Sequence, residues 1–303
     1  MHKKYIGIEI GARQVKMCLC QDHFLCREET ELLPDHYVKD GKIVSMEAMA
    51  EFLKNMANAR DIRCRSCCLV LPDSVAFTKS LIMPAMSVSH LKINLPYEFY
   101  DFIGSRGDTY IFDYAVMDMI YDENKNPVSM DLMACAVWKK AMEEYRQMFR
   151  LAKWKLKAAA PAAFAYSNLI RVYEEKKQLE EPGEYCLVEL GYTAIRIFFF
   201  HGKRMEACRR IENSQIKGTG QEFYESAGLE IRRTLEFYYF RNPKRKLTDI
   251  YFCGSRVMDR LFCEMAAEYA SLNLKYAGEL LPVLEDYKKV LISPAAAGIT
   301  FCL

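Results

Sequence analysis

The feature that most constrains this chain is a repeated pattern. Tyr5-Ile6-Gly7-Ile8-Glu9-Ile10-Gly11 leads through Ala12-Arg13-Gln14 into Val15-Lys16-Met17-Cys18-Leu19-Cys20, and Tyr185-Cys186-Leu187-Val188-Glu189-Leu190-Gly191 leads through Tyr192-Thr193 into Ala194-Ile195-Arg196-Ile197-Phe198-Phe199. Apolar runs on both sides of a short glycine turn predict a β-hairpin in each place. Each hairpin carries an acid two positions before its glycine. Two hairpins of one design in one chain predict two halves built alike.

Between and after them the sequence predicts mixed α/β structure. A third strand is expected at His23 to Glu28. Ser45 caps a helix to about Asn58, with Met46, Met49, Phe52, Leu53 and Met56 at helical spacing. Leu69 to Leu71 reads as a short buried strand. A separate substructure is then expected over residues 76–138: strand Ala76 to Met83, helix Ser87 to Phe102, strand Tyr110 to Tyr121, a turn at Asn124 to Pro127, and strand Ser129 to Val137. Helices Lys139 to Ala152 and Ala160 to Lys177 follow, and the polar stretch Glu174 to Glu184 reads as a linker. After the second hairpin come a helix at Gln221 to Phe240, a strand into a turn at Asp249 to Ser255, a helix at Arg256 to Tyr269, and a C-terminal helix from Pro294 to Leu303.

Composition removes several classes of function. With 42 Lys plus Arg against 40 Asp plus Glu over 303 residues, the net charge of +2 gives no electrostatic case for nucleic acid or an anionic membrane as the main partner. The basic runs Lys153 to Lys157 and Lys244 to Lys246 read as solvated faces. No apolar run approaches the roughly 20 residues of a membrane span, and nothing resembles a secretory signal, so a cytoplasmic protein is expected. The 12 cysteines are dispersed and read as reduced core thiols. Cys64, Cys67 and Cys68 have no second pair or histidine at metal-ligand spacing. The five histidines, His2, His23, His36, His90 and His201, lie near no nucleophile motif and read as surface or packing residues.

A carboxylate beside a glycine turn is suited to hydrated Mg²⁺, while the turn's N–H groups approach phosphate. Two such turns, then Cys253-Gly254-Ser255, then Ala296-Ala297-Gly298-Ile299, resemble the phosphate-1, phosphate-2 and adenosine segments of the actin, Hsp70 and sugar-kinase superfamily. Within it the chain is similar to the PilM family of type IV pilus assembly proteins, on its FtsA-like branch, over nearly its whole length. The similarity continues through Leu32 to Val44, Leu69 to Ser74, Ile82 to Met86, Phe112 to Val116, Ile231 to Tyr238 and Ile250 to Gly254. It implies an α/β, actin-like (ribonuclease H-like) two-domain fold: a first domain over 1–178 carrying the inserted α+β subdomain, and a shortened second domain over 179–303 whose C-terminal helix 294–303 returns toward the first.

By the same resemblance, Glu9, Gly11, Ala12, Arg13, Gln14 and Lys16 face Glu189, Gly191, Tyr192, Thr193, Gly254 and Ser255 across a nucleotide-type cleft. The sequence departs from the family there. Glutamates stand where aspartates are usual, no hydroxyl residue follows Gly11, Tyr192 fills the second bend, and Cys253 replaces one adenosine glycine. The subdomain over Ile211 to Leu229 is reduced. These changes predict a scaffold and not an enzyme, with no cofactor expected and no resident metal. The alternative is an ATP-binding actin-like ATPase or filament that uses Glu9 and Glu189 for Mg-nucleotide, with Lys16 assisting phosphate. A sugar or small-molecule kinase is a third class, but no acidic base at a substrate loop supports it.

What the resemblance implies about partners is specific. The tail of a PilN-like membrane protein is expected in a groove beside the subdomain, with Leu91, Leu95, Phe99 and Phe102 as its lining. Pilus motor ATPases or a platform protein are expected further along the assembly, a type IV pilus or a related type II secretion-like machine. The protein would sit peripherally at the inner face of the membrane through its partner, without inserting into it.

Overall fold

The computed structural model describes residues 3–283 and 292–303. His2 and residues 284–291 of the expected second domain lie outside the described residues. β1 (Lys4–Ile10), β2 (Gln14–Gln21) and β3 (Phe24–Leu32) form an antiparallel meander. β4 (Val38–Lys39) and β5 (Lys42–Ile43) turn back on each other at Asp40-Gly41, where both residues have positive φ. In α1 (Met46–Ala59) the Ser45 hydroxyl accepts from the Ala48 N–H, and Met49, Leu53 and Met56 are buried. β6 (Ser66–Leu71) then joins β1 in parallel, with Cys67 and Cys68 buried in it.

The inserted substructure is β7 (Ala76–Pro84), α2 (Val88–Glu98), α3 (Tyr100–Ile103), β8 (Tyr110–Tyr121) and β9 (Pro127–Trp138), with sheet order β7-β9-β8. The single helix expected over residues 87–102 is two, because the chain leaves helical geometry at Phe99, just after Pro96. α4 (Lys139–Leu151) leads to β10 (Lys155–Pro161) and α5 (Ala162–Lys177). The run read as a solvated basic face is thus in part an edge strand, with the exposed Lys155 and Lys157 alternating about Leu156. The expected linker is tied down, since Glu174 accepts from the Gly183 N–H and the Tyr185 hydroxyl.

The second half repeats the first. β11 (Glu184–Leu190), β12 (Ala194–His201) and β13 (Arg204–Glu212) form the meander, α6 (Gln221–Arg241) crosses over, and β14 (Asp249–Cys253) joins β11 in parallel. α7 (Arg260–Ala270) starts four residues later than expected because Asp259 caps it. β15 (Asn273–Tyr276), which the sequence reading omits, completes the sheet, and α8 (Pro294–Gly298) closes the chain with a 3-10 turn. The sheets have orders β10-β6-β1-β2-β3 and β15-β14-β11-β12-β13, one topology written twice.

α6 and α7 cover one face of the second sheet. On the other face, Leu187, Phe198 and Phe200 share a core with α5, α8 and the first sheet's Cys18, Cys68 and Val70. Small side chains permit that packing. A Cβ on Gly7 would overlap the Ala296 carbonyl, and one on Gly298 would overlap that of Ala165. Backbone therefore lies directly on backbone, and the chain's last helix is seated on the first strand.

Candidate functional site

The two glycine turns face one another across a cleft of about 710 Å³. Glu9, Gly11, Ala12, Arg13 and Lys16 line it from the first half, and Glu189, Gly191, Tyr192, Thr193 and Ser255 from the second. Two expected residues do not line it. Gln14 is turned into the protein as the first residue of β2. Gly254, with φ 97°, lies against the backbone of Leu190, where a Cβ would come within 2.6 Å of the carbonyl oxygen. That glycine serves close strand packing and not a ligand's approach.

The strand register decides what the acids do. Glu9 lies directly opposite Lys16 across β1–β2, and Glu189 directly opposite Arg196 across β11–β12. Lys16 Nζ is 2.9 Å from Glu9 Oε1, and the Arg196 guanidinium is paired with Glu189. All four side chains are nearly enclosed. The remaining carboxylate oxygens are also engaged, Glu9 by the Ser293 hydroxyl at the start of α8 and Glu189 by the Tyr166 hydroxyl at 2.9 Å.

Burial would raise the Glu9 pKa, but the charges of Lys16 and Arg196, with the Ser293 hydroxyl, hold it below the usual carboxylate range. Burial would likewise lower Lys16, and the carboxylates of Glu9 and Glu189 hold it above the usual lysine value. Arg196 is kept charged against its own desolvation by Glu189, Asp73 and Glu9. The four charges form one compensated cluster.

A second set of contacts spans the cleft. Asp73, just beyond β6, receives Arg196 on one oxygen and Arg210 on the other, both at 3.2 Å. Asp73, Arg196, Arg210, Tyr166 and Ser293 escaped the sequence reading. A signal for Arg196 was present, since each acid is followed seven residues later by a cation. Among the described residues the cleft is lined by four cations, Arg13, Lys16, Arg196 and Arg210, and five acids, Glu9, Asp40, Asp73, Glu189 and Glu212.

These residues do not fit hydrated Mg²⁺. Each carboxylate that would receive it already holds an internal cation at contact distance, and Mg²⁺ needs free oxygens in near-octahedral array. Among the described residues no group of three or more His, Cys, Asp and Glu side chains could hold a metal ion.

The expected groove lining is corrected by the structure. Leu91, Leu95 and Phe99 are buried in the subdomain's own core, against Leu81, Met83, Leu132, Ala134 and Ala136. Their spacing of four residues is the stripe with which α2 packs on its own sheet. Phe102 alone of the four is on the surface, 46% exposed.

Paired three-stranded meanders with parallel additions, facing across a cleft, define an actin-like protein with an inserted subdomain. Residues 7–207 match the family model of type IV pilus assembly protein PilM, and the chain belongs to that family. Among solved structures it is similar to the PilM–PilN type IV pilus biogenesis complex, with a TM-score of 0.78, 17% identity, and coverage of 98% of this chain and 96% of that one. It also resembles the cytoplasmic domain of EpsL, an inner membrane component of the Vibrio cholerae type II secretion system, with TM-score 0.54, 10% identity and coverage of 99% and 96%. The ethanolamine utilization protein EutJ of Carboxydothermus hydrogenoformans follows, with TM-score 0.51, 8% identity and coverage of 98% and 89%. At such identities the likeness shows the fold. No curated protein matches the chain. Among the described residues no helix is long and apolar enough to cross a membrane.

Proposed function

We propose that this protein is a non-catalytic scaffold of type IV pilus assembly that holds the cytoplasmic tail of a PilN-like membrane protein as an added strand on β8. The observation that carries the reading is the free edge of that strand. β8 runs for 12 residues and, among the described residues, pairs only with β9. A long uncovered edge is a template for another chain and is normally blunted unless it is used. Ile111, Val116 and Ile120 are exposed along it, and Phe102 stands exposed in the same subdomain.

An extended tail would take main-chain hydrogen bonds from this edge, with side-chain contacts setting its register. Asp113 and Asp118, also exposed on β8, would suit a basic juxtamembrane tail. The tail would hold the protein at the inner face of the membrane, where motor ATPases or a platform protein of the machine would be further partners.

Titrating the full chain against a labelled synthetic tail peptide of a PilN-like protein tests this. Saturable binding is expected, weakened at least tenfold by Val116→Lys or Phe102→Asp, both surface changes. Equal binding by both variants would remove the β8 site.

The cleft supports a second reading, binding of Mg-nucleotide between the hairpins. The internal pairs of Glu9 and Glu189 argue against it. Calorimetry with Mg·ATP is expected to give a flat trace, and a saturating signal abolished by Glu189→Gln would restore the enzyme reading.

A further inference from the structure

We infer that the C-terminal end of α6 is a contact site for an anionic phospholipid surface, separate from the tail site on β8. Phe240 is 84% exposed and Phe237, one turn earlier, is 58% exposed. Large aromatic rings so far from any core are uncommon unless something covers them. Cations surround them. Arg241 lies over the Phe237 ring with its guanidinium carbon 5.7 Å from the centroid. Lys244 and Lys246 are exposed in the turn that follows.

These three cations form no ion pair among the described residues, whereas their neighbour Arg245 is held by Glu184 at 3.1 Å and Glu206 at 2.5 Å. Of the acids at this end of the sheet, Glu184 and Glu206 are thereby compensated, and Asp249 accepts from Thr248 and Asn273. Glu236 is likewise paired with Arg232 one turn back. Glu180 and Glu181 follow α5, which packs on the opposite face of that sheet. The exposed charged residues that follow Phe240, Arg241, Lys244 and Lys246, are all cations, although the whole chain is nearly neutral.

Two rings at a helix end with three exposed cations are too small for a stable protein interface, which needs about 800 Å² from each partner. They match the demands of a bilayer surface, where rings lodge at the headgroup level and cations meet anionic lipid.

Co-sedimentation of the full chain with protein-free vesicles tests the inference without any tail present. Binding is expected to phosphatidylcholine vesicles containing one third phosphatidylglycerol, not to pure phosphatidylcholine, and to be reversed by salt. Combined Arg241→Glu, Lys244→Glu and Lys246→Glu is expected to weaken it at least a hundred-fold. Phe240→Ser should weaken it about tenfold while leaving the thermal midpoint unchanged. Equal sedimentation with both vesicle types, or full binding by the triple variant, would overturn the assignment. Concentration-dependent dimers abolished by Phe240→Ser, without vesicle binding, would overturn it too and give the patch to a second copy. Failure of this test leaves the β8 peptide titration untouched, since the two use different surfaces.

Discussion

Gly7 of the first strand lies against the carbonyl of Ala296 in the last helix, so closely that no side chain of any size fits between them. This contact joins the two ends of the chain and seats α8, whose leading Ser293 also donates its hydroxyl to Glu9. Gly7→Ala is expected to displace α8 and cost about 1–3 kcal/mol or more, as overpacked sites do. Gly107→Ala is the control, because the nearest atom to a Cβ there is 3.9 Å away, on Pro96. It is expected to be neutral or slightly stabilising. Urea midpoints of the two variants check the contrast.

The facing of Glu9 and Lys16 predicts a non-additive pair. Lys16→Met leaves a buried carboxylate without its nearest cation and is expected to cost about 3–5 kcal/mol. Lys16→Met combined with Glu9→Gln removes both charges, and Gln can still accept from Ser293. The double variant is expected to be more stable than either single change, by at least about 1 kcal/mol. Denaturation of the four proteins gives the coupling directly, and simple additivity would contradict the compensated cluster.

Asp73 predicts a change in opening with little change in stability. Its carboxylate is 39% exposed, and exposed pairs contribute at most about 1 kcal/mol. It nonetheless holds two arginines of the opposite half. Asp73→Ala is expected to speed amide hydrogen exchange in the cleft segments 38–41 and 191–193 while the global urea midpoint stays close to wild type. Exchange unchanged in both segments would mean that the bridge does not hold the cleft.

How far the sequence reaches is clearest where it failed. The hairpins were legible because apolar alternation and a glycine turn are local signals, whereas the parallel pairing that sets Glu9 opposite Val70 and Glu189 opposite Cys253 joins strands about 60 residues apart and has no local signal. β10 was not legible, because Ala158 to Ala165 has no side-chain preference that separates strand from helix, and only Pro161 marks the change. The acids of the cleft were visible, but what neutralises them was not. Ser293 reaches Glu9 across 284 residues of sequence, and no period or motif encodes that meeting. Arg196 was readable only once Glu9–Lys16 and Glu189–Arg196 were set in the same register. Leu91, Leu95 and Phe99 show the opposite error: their stripe was correctly seen as apolar, but a stripe does not say whether its partner is the protein's own sheet.

The same charges fix the sign of the acid response. Glu9 binds its proton less readily in the folded chain than at the ordinary value of 4.5, because Lys16, Arg196 and Ser293 outweigh its burial. Its stabilisation is therefore present above that value and is lost as pH falls through the lower folded value. Lys16 is shifted up from 10.5, so its share is present below 10.5 and lost as pH rises through the higher folded value. Glu28 runs the other way. Burial raises its pKa although it accepts from the Ile292 and Ser293 N–H groups, so its protonation as pH falls stabilises the fold. Glu28 is retained in both wild type and the Lys16→Met, Glu9→Gln double variant, and because the Lys16 and Glu9 charges act on it in opposite senses, removing both takes most of its contribution out of the difference in their unfolding free energies. That difference is expected to be flat from about pH 5 to about pH 10 and to shift against the wild type on either side. A difference that moved in favour of the wild type below about pH 5 would mean that Glu9 is not held as a carboxylate, and the compensated cleft would have to be abandoned.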